Sequence, residues 1–196
     1  FIMALHFSKQ EFEKRKLATL KSMKEQNLDA LLMFRQESMF WLTGYDTFGY
    51  VFFQTLILDQ KGNIILLTRA PDLRQAQNTS NIEDIRIWVD KDQSNPTENL
   101  KVILNELNLK GKKIGIEYEA YGMTGRNALR LNKSLHAYCE VEDQSELITK
   151  HRVVKSTEEI VYVKKAAELA DHALDEAWKY AKAGASESKI LAEMQR

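Results

Sequence analysis

The sequence predicts an α/β layer fold built on a mixed β-sheet, and three observations carry that expectation. Short apolar runs such as Leu28 to Phe34 (LDALLMF) and Lys113 to Glu117 (KIGIE) have the length and composition of buried strands. Segments with helical apolar spacing alternate with them, the pattern of helices layered on a sheet. Two β-prone runs, Thr55 to Asp59 and Asn63 to Thr68, are joined by the polar turn Asp59-Gln60-Lys61-Gly62, a hairpin that interrupts the parallel pattern.

Each element has a local reason. Ser8-Lys9-Gln10-Glu11 is a capping-box sequence, and Phe12, Leu17, Leu20 and Met23 follow at roughly helical spacing, so a first helix is expected to about Gln26. Leu28 to Phe34 then reads as a strand buried on both faces. Asp84 to Val89 alternates Ile85, Ile87 and Val89 with polar neighbours, as a strand with one covered face does, at or near a sheet edge. Pro96 opens a helix with Leu100, Ile103, Leu104 and Leu107 on one face, and Gly111 lies just past it. Lys113 to Glu117 is the next strand. Gly125 to Leu135 forms a helix through Ala128, Leu129 and Leu131, and His136 to Val141 a last strand. After about Ile148 the character changes. Ser156-Thr157-Glu158-Glu159 is a second capping box, opening a helix striped by Ile160, Val163, Ala167, Ala170, Leu174, Ala177 and Ala181 and expected to end at Gly184. A further helix starts at Ser186. The apolar stripe has no evident partner in what precedes it.

Composition narrows the function. Twenty-eight Lys and Arg balance twenty-eight Asp and Glu, and the basic residues are scattered, so nucleic-acid binding is not expected. Hydrophobic residues at 44% and charged residues at 29% suit a soluble chain that buries a core. No apolar run is long enough for a bilayer, so no membrane partner is expected. Phe1-Ile2-Met3-Ala4 lacks the features of a signal peptide, and one cysteine, Cys139, forms no intrachain disulfide; both favour a reducing cytoplasm.

No complete catalytic apparatus is visible. His6, His136, His151 and His172 lie far apart without ligand spacing, and phosphate-binding loops and nucleophile elbows are absent. Cys139 falls in a predicted strand, where a small buried side chain is expected. Glu117 and Glu119 alternate at a strand end and face one way; a solvated strand end is preferred to a catalytic or metal-binding pair. The stretch Ser38 to Tyr50 (SMFWLTGYDTFGY) is the candidate that remains. Each ring taken singly fits a core, whereas so many rings beside the turn Thr43-Gly44-Tyr45-Asp46 make a candidate rim for a pocket or interface.

These same residues carry a resemblance. Asp29-Ala30-Leu31-Leu32, then Phe40-Trp41-Leu42-Thr43-Gly44-Tyr45, the hairpin, and Lys113-Ile114-Gly115-Ile116-Glu117 resemble the N-terminal domain of the creatinase/prolidase group. Arg152-Val153-Val154-Lys155-Ser156-Thr157-Glu158-Glu159-Ile160, with Lys164-Lys165-Ala166-Ala167 and Gly184-Ala185-Ser186-Glu187, looks like the linker and first helices of that group's second domain. The resemblance implies a three-layer mixed sheet flanked by helices over residues 1–150. Residues 151–196 would be the linker and first helices of a truncated "pita-bread" domain.

Relatives in the group are Xaa-Pro dipeptidases and aminopeptidases, creatinases and ectoine hydrolases. In the peptidases two divalent ions (Mn, Co or Zn) are held by two Asp, one His and two Glu. None of those ligands carries over, because they fall beyond Arg196 in the family pattern, so this segment is expected to hold no cofactor, no metal ligand and no catalytic residue. The parent implied is a cytoplasmic, homodimeric, metal-dependent Xaa-Pro peptidase-like hydrolase acting on a small peptide or amide. The N-terminal domain would serve dimerisation and the lip of an active site, with Trp41, Tyr45, Asp46 and Tyr50 as lip candidates. The strand Tyr50-Val51-Phe52-Phe53-Gln54 lacks an arginine, which disfavours creatine. Two alternatives stand beside the peptidase, an ectoine hydrolase-type amidohydrolase and a pseudo-peptidase that binds protein.

Overall fold

Strands β1 (Ala30–Met33), β2 (Thr55–Asp59), β3 (Ile64–Arg69), β4 (Asp84–Trp88), β5 (Lys113–Ile116) and β6 (Glu140–Asp143) form one sheet in the order β4-β3-β2-β1-β5-β6. In the computed structural model, which describes residues 5–196, β2 runs against its neighbours β1 and β3, while β3 with β4, β1 with β5 and β5 with β6 pair in parallel. The mixed sheet follows from the hairpin, where Gly62 supplies φ 85° and the Asp59 carboxylate accepts the N–H groups of Lys61 and Asn63.

Alternation along β1 divides the core. Ala30 and Leu32 face one apolar cluster with Ile57, Leu67, Ile114 and Ile116, whereas Leu31 and Met33 face a second with Leu56, Leu58 and Leu66. Helices α4 (Pro96–Glu106) and α5 (Gly125–Leu135) cover the first cluster through Leu100, Ile103, Leu104, Leu131 and Leu135. Helix α1 (Lys9–Glu25), α2 (Gln36–Thr43), α3 (Leu73–Thr79) and α6 (Leu147–Val153) cover the second through Met23, Met39, Leu42, Ala76 and Ile148. The result is the three-layer sandwich expected, in which each fully buried aliphatic side chain contributes about 1.5–3 kcal/mol.

Several local expectations change. α2, α3 and α6 form where no helix is expected. On β4 the alternating Ile85, Ile87 and Val89 do not make the covered face: Ile87 and Val89 are exposed, and Trp88 is buried instead. The indole carries the larger apolar surface, and its Nε1–H donates to the Phe53 carbonyl at 2.9 Å, so Trp88 wins the inward position. In α5 Leu129 is exposed, and the last strand starts at Glu140, which leaves the half-buried Cys139 just outside it. No helix among the described residues is long and apolar enough to cross a membrane. The reading against a signal peptide falls on residues 1–4, outside the described residues.

The chain divides into two compact units after Val153. In the second, α7 (Thr157–Tyr180) opens on a reciprocal capping box: Ser156 Oγ accepts the Glu159 N–H at 3.2 Å, and the Glu159 carboxylate accepts the Ser156 N–H at 2.7 Å. The helix ends at Tyr180, ahead of Gly184, and α8 (Glu187–Met194) follows. No residue of α7 or α8 is buried, so the stripe with Ile160, Val163 and Leu174 lies open.

Candidate functional site

β1 and β5 are adjacent parallel strands, yet the helices that follow them leave in opposite directions. α2 packs on one face of the sheet and α5 on the other. A crevice therefore opens beyond the carboxyl ends of these two strands, the place where open α/β sheets hold ligands. Residues 34–37 after β1 and 118–121 after β5 line it, joined by Tyr50 and Arg152 around about 500 Å³.

Two long-range charges fix α2 at this crevice. Glu117, at the end of β5, is 0% exposed, and its carboxylate accepts the N–H groups of Phe34 (2.9 Å) and Arg35 (3.0 Å) and the Ser38 hydroxyl (2.6 Å). At the other end the buried Arg15 guanidinium donates to the Trp41 carbonyl at 2.7 Å and to the Glu11 carboxylate at 3.0 Å. A carboxylate at the amino end and a guanidinium at the carboxyl end both oppose the helix dipole. Burial pushes the Glu117 carboxyl up to about 7, against the Ser38 hydroxyl and the two N–H donors, which hold it down. Glu117 is thus a buried helix anchor rather than a solvated strand end, and Glu119 parts from it to pair with Arg35.

Arg35 ties the rim together. Its guanidinium donates to the Glu119 carbonyl, to the Glu119 carboxylate, and to Thr149 Oγ1 at 2.7 Å. On the opposite wall the rings of Tyr50 and Tyr121 meet edge to face at 5.6 Å. Gly122 permits that approach, because a Cβ there would collide with the Phe52 carbonyl oxygen and lie 3.1 Å from that of Tyr50.

The lip candidates separate. Tyr50 lines the crevice. Asp46 is exposed, with its N–H bonded to Thr79 Oγ1. Trp41 is buried and stacks on His151 at 5.9 Å, whose own Nε2 meets Ser22 Oγ at 2.9 Å. Burial holds the His151 imidazole below its ordinary value. Tyr45 is 0% exposed, its hydroxyl donating to Gln54 Oε1 (2.9 Å) and lying within hydrogen-bond distance of Thr47 Oγ1 (3.2 Å), with desolvation raising its pKa. The aromatic stretch is therefore both core and surface: Trp41 and Tyr45 pack inside, while Phe48, 86% exposed, and Tyr50 face outward. Arg35, Glu37, Tyr118 and Tyr121 were not singled out in the sequence, and their shared signal is position alone, directly after two short apolar strands.

Among the described residues no three His, Cys, Asp or Glu side chains converge as a group that could hold a metal ion. A family model described as the creatinase/prolidase N-terminal domain matches residues 15–154. The chain belongs to this family. An uncharacterized hydrolase/peptidase of Sinorhizobium fredii is 27% identical over 195 residues, covering 96% of this chain and 50% of that protein. The ectoine hydrolase of Halomonas elongata is 23% identical over 201 residues, covering 99% of this chain and 50% of its own length. The crystal structure of a prolidase from Thermococcus sibiricus shares the fold with a TM-score of 0.76 at 20% identity, over 95% of this chain and 49% of that one. The creatinase/prolidase chain described here thus spans about half the length of these relatives.

Proposed function

We propose that this chain is the N-terminal portion of a metal-dependent hydrolase that cleaves an amide next to proline, and that it contributes no catalytic group of its own. The family match over residues 15–154 carries the reading. A putative dipeptidase of Bacillus subtilis, 23% identical over 173 residues, supports a small peptide as substrate. The two divalent ions would be held outside these residues. In this reading the crevice after β1 and β5 is part of an active-site lip. Tyr50 meets the substrate, Asp46 stands at the exposed rim, and Trp41 and Tyr45 hold the loop from below. The parent is a cytoplasmic homodimer, for which the exposed Phe48, Val51 and Phe52 offer an apolar contact surface.

A second reading, an ectoine hydrolase-type amidohydrolase, is favoured by the match to the Halomonas elongata enzyme over 99% of this chain. One experiment separates them. The longer parent protein is assayed with and without added manganese on Xaa-Pro dipeptides and on ectoine side by side. Metal-dependent turnover of the dipeptides is expected. Turnover of ectoine alone would replace the first reading by the second, and turnover of neither would reject both.

A further inference from the structure

We infer that the ion pair between Arg69 and Asp72, at the corner from β3 to α3, is the positioning element for Tyr50 at the crevice. The inference deepens the lip reading and rests on it for the use to which Tyr50 is put.

The corner holds an anomaly. Asp72 stands at the N-cap of α3, where an aspartate ordinarily accepts a backbone N–H of the first helical turn, yet its side chain makes no cap bond. The carboxylate turns instead to the Arg69 Nε–H at 3.0 Å, and the two side chains are only 14% and 10% exposed. Attraction between two such nearly buried charges is largely cancelled by their lost hydration, so net stability does not account for the pair. The best-attested use of such a pair is to fix one arrangement of its surroundings.

Those surroundings are the single 3₁₀ turn Gly49–Val51, which carries Tyr50. Asp72 packs against Gly49 so closely that a Cβ there would stand 2.6 Å from Asp72 Oδ2. The Arg69 guanidinium lies over the Phe52 ring, 3.4 Å from its centroid. The two charges therefore touch the turn at its first residue and just past its last. Gly122 closes on the Tyr50 and Phe52 carbonyls, so the backbone of the turn is held between contacts and the Tyr50 ring is brought to Tyr121. The grip of Arg69 and Asp72 on that ring runs through the backbone of the turn.

The test uses the 196-residue chain with labelled tyrosine rings, recording nuclear Overhauser contacts between Tyr50 and Tyr121. The native chain should show the contact. Asp72→Asn and Arg69→Met should each lose it, while a dispersed amide spectrum and a cooperative urea transition show that the fold is kept. Asp90→Asn, which removes only an exposed acid 4.0 Å from Arg69, should keep it. A lower urea midpoint with the ring contact intact, equal loss in Asp90→Asn, or unfolding of both pair variants would reduce the pair to a corner staple and overturn the inference. In the longer parent, Asp72→Asn should lower kcat/KM in the native background and change it by less than about twofold in the Tyr50→Ala background. An equal loss in both backgrounds would also overturn it. Native kinetics in Tyr50→Ala would sink the lip reading instead and leave the ring contact to decide this inference.

Discussion

The Ser38 hydroxyl donates to Glu117 Oε1 at 2.6 Å, joining the first turn of α2 to the end of β5 across 79 residues of sequence. That bond, with the N–H groups of Phe34 and Arg35, holds a buried carboxyl against the loop that follows β1. Because burial raises its pKa from 4.5 to about 7, the folded chain keeps a proton that the unfolded chain has released between those two values. Stability from this group therefore falls as pH rises through that window. The full shift corresponds to roughly 3 kcal/mol. Urea denaturation at pH 5 and pH 8 should show the loss in the native chain, and Glu117→Gln, which does not titrate, should flatten it. An unchanged pH slope in the variant would contradict the assignment.

Tyr45 tests whether the buried polar network supports the aromatic loop. Its hydroxyl, Gln54, Thr47 and Thr68 form one hydrogen-bonded group, and Thr47 Oγ1 also accepts the Gly49 N–H at 2.9 Å. Tyr45→Phe removes a donor and leaves the buried Gln54 Oε1 with one partner fewer. A loss of about 1–2 kcal/mol in urea denaturation is expected. No loss would show that the network is dispensable.

How much of this was legible in the sequence depended on how local the cause was. The hairpin at Gly62, the Ser8 and Ser156 caps and the Pro96 helix start each depend on neighbours within a few residues, and each appears as expected. α2 has no side-chain cap of its own and draws Glu117 and Arg15 from distant segments, so no short window reveals it. The resemblance named the family. It did not separate the buried Tyr45 from the exposed Phe48, three residues apart, because that choice is made by Gln54 and Thr68.

Gly122 governs the walls of the crevice. Gly122→Ala must push the Phe52 carbonyl away, separating Tyr50 from Tyr121. A destabilisation of about 1–3 kcal/mol in urea denaturation is expected. Native stability in the variant would show that the backbone yields without opening the walls.

Of the three tryptophans, Trp41 and Trp88 are buried and Trp178 on α7 is 75% exposed. Iodide should quench the Trp178 emission selectively, and Trp178→Phe should remove the quenchable fraction. If quenching survives in the variant, another indole is accessible and the burial of Trp41 or Trp88 is wrong.

The most direct measurement is steady-state kinetics of the longer parent on an Xaa-Pro dipeptide, comparing Tyr50→Ala with the native enzyme and circular dichroism as the control for folding. A crevice that forms part of the lip predicts kcat/KM lowered by about fivefold or more, on the order of 1 kcal/mol of lost contact at one aromatic wall. Native kinetics in the folded variant would contradict the assignment of this crevice to the substrate.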